Sequence, residues 1–466
     1  MRPSARSGLK ITVRILLLFF LFIPISEAGL RERVFETILP NGLKVILLEN
    51  HKAPLITFQV WYRVGSRNEA WGKTGLSHML EHMMFKGTPK VGPEEFSRII
   101  QENGGNDNAF TSRDYTAYFE NFSSDRIQVS IDLESDRMQN LLLREEDFRT
   151  ERMVVMEERR LRTEDNPTAV LQEQMEATAF QLQPYHWPII GWMEDIARFT
   201  LEDLKAYYRT YYHPANAFLV VVGDFKKEDL MPRIEKAFGP YPKETVPNQE
   251  KNIDPKQTGE RRIFVKKEAQ LPSIVMGYHV PNLREPDSYD SYVLEVIATI
   301  LSGGKSSRFY QRLVREKRLV LSADADYSLL SRDPSLFYTS ADLLPGKDMA
   351  EVEKALDQEV ERLQRELVGQ HELEKAKNQL EASFVFGQDS LFYQAMLLAR
   401  EEITLSWKAI DDYIPSIRKV SPEDIRRVAK RYLNPDNRTV GVLIPLPPTE
   451  GKPTPAGPSI KESVVR

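Results

Sequence analysis

The stretch Ala217-Phe-Leu-Val-Val-Val-Gly223 is an apolar, β-branched run of strand length closed by glycine, and Thr439-Val-Gly-Val-Leu-Ile444 repeats its character near the other end of the chain. Both read as strands. Each closes a long segment of similar rhythm. The first, from about Val34 to Pro240, opens with Leu43-Lys-Val-Ile-Leu-Leu48 and Ile56-Thr-Phe-Gln-Val-Trp-Tyr62, then passes through a helical pattern, more strands and long helices. The second, from about Arg261 to Pro445, opens with Ile263-Phe-Val265 and Ser273-Ile-Val-Met-Gly-Tyr278 and again passes through helices. The repeated mixture predicts an α+β fold of two homologous domains, 31–240 and 261–446, each a mostly antiparallel sheet covered by helices. Between them, 241–260 is polar and broken by proline, the composition of a linker. The Pro-rich tail 447–466 reads as disordered.

The chain has 466 residues, 41% of them hydrophobic and 28% charged, which excludes wholesale disorder and exceeds what one core organises. It has no cysteine, so disulfide frameworks, Cys-ligated zinc and thiol nucleophiles are excluded together. Any metal must sit on His, Asp or Glu, and there are only seven histidines. At the N-terminus, Arg2, Arg6, Lys10 and Arg14 precede an apolar run from Ile15 to Ile25, and Ser26-Glu27-Ala28 supplies small residues for cleavage. This reads as a signal peptide, 1–28, about half the length of a helical membrane span. Its removal takes four basic residues and one acidic residue, leaving 59 basic against 67 acidic side chains and a net charge of −8. No stable membrane span is expected after removal, and the acidity leaves no footprint for nucleic acid. Export of a chain without cysteine suits a bacterial periplasm or cell envelope.

The chemistry concentrates in Thr74-Gly-Leu-Ser-His78-Met-Leu-Glu81-His82-Met-Met-Phe-Lys-Gly87-Thr-Pro89. Thr74 can cap a helix start, Gly87 can close it, and Leu76, Met79, Leu80, Met83 and Met84 form a core-facing stripe. His78 and His82, four apart, project from one face beside Glu81. Two imidazoles at that spacing can fill neighbouring corners of a tetrahedral zinc site, and the carboxylate can take a proton from metal-bound water. A chance pentad of this kind in such a sequence is on the order of one in a hundred. A third ligand is needed. In the charged helical stretch 151–167, Glu151 and Glu158 share a face two turns apart while Glu157 points elsewhere, and periodicity alone leaves either of the first two open.

With these motifs, the sequence resembles the pitrilysin or insulinase-like zinc peptidases, which include the mitochondrial processing peptidase. The resemblance rests also on Leu39-Pro-Asn-Gly-Leu-Lys-Val-Ile46, Gly65-Ser-Arg-Asn-Glu69, Gly104-Gly-Asn-Asp-Asn108-Ala-Phe-Thr111 and Tyr212-His-Pro-Ala-Asn216. It implies one Zn2+ per chain on His78, His82 and Glu158, with Glu81 as general base and Glu151 orienting a histidine. It also implies that peptide adds as a strand beside Asn108, Ala109, Phe110 and Thr111. In the family's second half an arginine followed by a tyrosine binds substrate. Here Arg315 matches, but Leu321 stands where tyrosine is expected. A complete metal motif with a degraded second motif resembles the catalytic member of a pair, so a related subunit, in a heterodimer or a homodimer, is expected to complete a substrate chamber. The expected function is that of a zinc endopeptidase. A non-catalytic, peptide-holding scaffold is the alternative, against which the complete set of metal residues counts.

Overall fold

A computed structural model of the chain describes residues 29–246 and 253–447. The segment 1–28 expected to be a signal peptide, nearly all of the Pro-rich tail 447–466 and the centre of the expected linker 241–260 lie outside the described residues. Two sheets form. The first has six strands: β1 (Val34–Ile38), β2 (Lys44–Glu49), β3 (Leu55–Tyr62), β4 (Asn106–Thr111), β5 (Thr116–Ser123) and β6 (Ala217–Gly223), in the order β1-β2-β6-β3-β5-β4. The second has five: β7 (Arg261–Glu268), β8 (Ser273–Val280), β9 (Val320–Asp326), β10 (Ser335–Leu343) and β11 (Arg438–Leu446), in the order β7-β11-β8-β10-β9.

The two orders are one topology. In each, the opening strand runs parallel to the closing strand, β2 with β6 and β7 with β11, and every other pairing is antiparallel. The fold is therefore two α+β units of the same design, as the repeated rhythm predicts, with β1 added to the first as a hairpin partner of β2. The apolar runs place the strands: every residue of β6 is buried. Among the described residues no helix is long and apolar enough to cross a membrane.

One face of each sheet is covered by helices of its own half. On the first, Leu76, Met79, Leu80 and Met83 of the helix Leu76–Met83 join Val45, Phe58, Val60, Leu219 and Val221 in one core. On the second, Val293, Leu294 and Ile297 of the helix Tyr289–Ser302 join Ile274, Met276 and Val440. The opposite faces are covered by exchange. Helix Pro167–Ala179 of the first half lays Leu171 and Met175 on Val275, Leu336 and Leu443 of the second sheet. Helix Leu391–Thr404 of the second half lays Ala395, Leu398 and Ala399 on Ile46, Trp61, Phe218 and Val220 of the first. Both crossing helices carry side-chain caps: Asn166 accepts from the Thr168 and Ala169 amides, and Ser390 from that of Tyr393. Gly277 and Gly441 make the first crossing close, because a Cβ at Gly441 would stand 3.0 Å from Leu171 Cδ1.

Because Leu398 is fully buried in the exchanged contact, Leu398→Ala is expected to cost about 2–5 kcal/mol in urea-induced unfolding. The two halves should still unfold together. Separate transitions in the wild-type protein, or a cost below about 1 kcal/mol for the variant, would count against the exchange as the tie between them.

Candidate metal centre

The helix Leu76–Met83 begins where two backbones touch. Gly75 has φ +92°, and a Cβ there would stand 2.5 Å from Ile190 O, so the left-handed start and the close approach both demand glycine. Sequence reasoning assigned the helix cap to Thr74, and this is corrected. The Thr74 hydroxyl donates to Asp195 (2.7 Å) and accepts from the Trp192 amide (2.9 Å). The helix start is held instead by buried Glu69, whose two carboxylate oxygens accept from the Gly75 and Ser77 amides, each at 2.7 Å. Burial pushes the Glu69 carboxyl up to about 8 against the opposing pull of these two amide hydrogen bonds. Nothing local announces this contact: it reaches six and eight residues ahead across a loop, although Glu69 stands in one of the motifs quoted above. The C-terminal end follows expectation more closely, with Gly87 at φ +95° turning the chain a few residues past Met83.

One turn apart, His78 and His82 have ring centroids 4.7 Å from each other. The helix Glu145–Arg159 packs alongside and aims two carboxylates at them. Glu158 lies 3.2 Å from His82 Nε2 and 3.7 Å from His78 Nε2. Glu151 takes the far side of His82, 2.8 Å from Nδ1, and is itself backed by the Lys86 ammonium at 2.5 Å. Glu157 turns away and pairs with Arg160 in solvent. Glu81 accepts a hydrogen bond from the Thr111 hydroxyl, which brings the end of β4 to the site. Arg162 reaches Glu158 from the exposed side at 2.6 Å.

The donor atoms of His78, His82 and Glu158 lie within 4.8 Å of one another, the one such group among the described residues. Ligand bonds of about 2.1 Å at tetrahedral angles put neighbouring donors about 3.4 Å apart. The 3.2 and 3.7 Å separations bracket that value, so these residues fit zinc by spacing and by donor type. Electrostatics divides the histidines. Burial, aided by the His82 charge, pulls His78 down to about 4, leaving it neutral. His82 is pulled down by burial, but hydrogen bonds to Glu151 and Glu158 win and push it up to about 9. Burial raises Glu81 against the opposing Thr111 hydrogen bond. Glu151 and Glu158 feel burial upward as well, yet His82 and the neighbouring cations hold both below the usual carboxylate range.

Of the four residues expected to line a peptide, all lie on β4, which pairs with β5 on one side and with no described strand on the other. The Ala109 amide bonds the Asn108 side chain. The Phe110 ring packs edge-on to Trp61, 5.5 Å between centroids. Arg315 is exposed on the helical segment Tyr310–Glu316 leading into β9, and no hydrogen bond or ion pair among the described residues joins it to the His–Glu group.

Residues 44–191 match the family model described as Insulinase (Peptidase family M16), and residues 198–380 the one described as Peptidase M16 inactive domain. The chain belongs to the insulinase family, M16. Among M16 relatives, the zinc protease PqqE of Helicobacter pylori is 35% identical over 417 residues, 87% of this chain and 92% of the relative. A probable mitochondrial-processing peptidase subunit beta of Arabidopsis thaliana is 26% identical over 421 residues, 88% of this chain and 78% of the relative. The crystal structure of a protease from Helicobacter pylori superposes with a TM-score of 0.84 at 34% identity, over 88% of this chain and 99% of that one. The family implied by the motifs is thus the family of the chain, and zinc is the metal named among its relatives.

Glu69→Gln would turn an amide NH2 toward one of the two helix N–H groups. It is expected to cost about 1–3 kcal/mol of stability and to weaken zinc uptake measured by competition with a chelator. Wild-type values for both would show that Glu69 does not hold the helix start.

Proposed function

We propose that this chain is a zinc-dependent endopeptidase acting on extended peptides or unfolded protein segments, with one zinc ion on His78, His82 and Glu158 and with Glu81 as general base. The reading is carried by the convergence of two imidazoles and a carboxylate on one partly open point, with Glu81 beside them and the end of a free sheet edge held to Glu81 by Thr111. Zinc bound there would polarise a peptide carbonyl and acidify a water. Glu81 takes the proton of the attacking water and returns it to the leaving nitrogen; its raised pKa brings it nearer the range in which both transfers are efficient. Glu151, anchored by Lys86, fixes the ring of His82 through Nδ1.

Substrate would add as a strand beside β4. An amide that bonds its neighbour's side chain is not spent on β5, so the Ala109 backbone faces the free edge and can hold a peptide main chain, with Asn108, Phe110 and Thr111 flanking it. Main-chain recognition requires an extended segment, which excludes folded substrates. A related second subunit is supported by exposed Met153 and Val154 on the helix that carries Glu151 and Glu158 and by exposed Leu161 just past its end, which leave apolar surface there, and by the subunit named among the relatives. Arg315, exposed and without a bond to this chain's metal group, fits a role toward that subunit's substrate. The basic N-terminus followed by an apolar run supports export to the periplasm or envelope.

Glu81→Gln is expected to retain zinc at wild-type stoichiometry and to lose cleavage of an unstructured peptide by about three orders of magnitude or more. Residual cleavage near the wild-type rate would refute the general-base assignment. For the third ligand, Glu158→Gln should weaken zinc affinity far more than Glu157→Gln, and the reverse order would move the ligand to Glu157.

A further inference from the structure

Arg67 is a charged side chain in the molecular interior, with 4% of its side chain exposed. Its guanidinium holds Asp333 Oδ2 with Nε at 3.0 Å and Nη2 at 2.6 Å. Asp333 belongs to the other half, in the β9–β10 connection 266 residues away. Asp114, in the β4–β5 turn, lies 3.6 Å from Arg67 Nε. The Tyr185 hydroxyl bonds both Asp114 oxygens at 2.7 Å and accepts from the Asp333 amide at 3.3 Å. Two carboxylates, one guanidinium and one phenol thus form a buried, mutually bonded junction. A pair of this kind is costly to desolvate and is a poor device for stability alone. What it joins gives it a use.

Arg67 sits in the short turn Ser66–Asn68, and that turn touches both parts of the proposed machinery. Two residues on, Glu69 holds the start of the His78 helix. The turn's own backbone lies on the β4–β5 turn: Ser66 N bonds Ser112 O at 3.2 Å and Arg67 N bonds Arg113 O at 3.0 Å. A Cβ on Gly65 would stand 2.3 Å from Ser112 O, so nothing separates the two backbones. Asp114 lies in the same four-residue turn, 112–115, that begins just after Thr111.

We infer that Arg67 and Asp333 are positioning residues through which the second half sets the register between the substrate edge β4 and the His78–His82 helix. The inference rests on the peptidase reading and goes beyond it. It assigns the second half, which contributes no ligand to the metal group, a task in catalysis inside the same chain. Arg67 clamps the turn from which the helix start and the edge strand both hang, and Asp333 supplies the charge that keeps Arg67 in place. A bound strand offers its carbonyls at fixed steps, so a shift of the edge against the helix presents a neighbouring bond to the metal site.

The test uses the full-length protein with Asp333→Asn, Asp333→Ala and Arg67→Lys, with Leu356→Ala in the core of the second half as a control for stability alone. Zinc content, kcat per bound zinc, KM and the cleavage positions in one unstructured peptide are read for each. The junction variants are expected to keep zinc, to raise KM and lower kcat per zinc by about tenfold or more, and to spread cleavage onto adjacent bonds. The control should show wild-type KM and cleavage positions. If Asp333→Ala does not fold, Asp333→Asn and Arg67→Lys carry the comparison. Junction variants with wild-type KM and cleavage positions overturn the inference while leaving the peptidase reading intact. A zinc-loaded wild-type protein that cleaves no unstructured peptide overturns that reading and the inference with it.

Discussion

Each sheet in this molecule needs a helix that its own half does not supply. β6 is apolar along its whole length, so its alternating side chains point to both faces of the first sheet and neither face tolerates water. The helices of the first half cover one face. The other is closed by Leu391–Thr404, and the second sheet is closed reciprocally by Pro167–Ala179. Each fully buried leucine or methionine in these contacts contributes about 1.5–3 kcal/mol of transfer free energy. Severed from the other, either half would lose the cover of one face of its sheet. This constraint ties the two similar units together through both sheets, and it places a segment of the second half within reach of the turn that precedes the His78 helix.

The His–Glu group inherits its rigidity from that arrangement. The stripe Leu76, Met79, Leu80 and Met83 seats the His78 helix in the core, so its histidines emerge on the remaining face at a fixed height. The helix carrying Glu151 and Glu158 lies alongside, and two carboxylates seven residues apart bracket His82 from both ring nitrogens. The polar bonds here are short-range consequences of two helices held by apolar contacts made elsewhere.

What the sequence disclosed follows from this division. The strands and the His78 helix were legible because their patterns are local: apolar runs, a helical stripe, two histidines at one-turn spacing. The separation of Glu157 from Glu158 was legible because a helix turns by a fixed angle per residue. The Glu69 cap was missed, and Thr74 was preferred, because capping statistics are local while this carboxylate folds back through a loop. The exchanged helices were invisible for a similar reason: an amphipathic helix shows that it has a buried face without showing which sheet buries it. The Arg67–Asp333 pair spans 266 residues, and although Arg67 stands in a quoted motif, nothing local to either residue points to the other.

The free edge of β4 has a cost that its sequence visibly manages. A strand edge without a partner can pair with any other strand, including the edge of another copy, and such edges seed aggregation. Asn106-Asp107-Asn108 opens β4 with three residues of poor strand propensity, and Asp107 is tied down by the Ser97 hydroxyl at 2.7 Å. A run of valine and isoleucine there would pair more readily with another strand. The polar opening of β4 weakens such pairing, so its exposed backbone is less apt to join edge to edge with another strand.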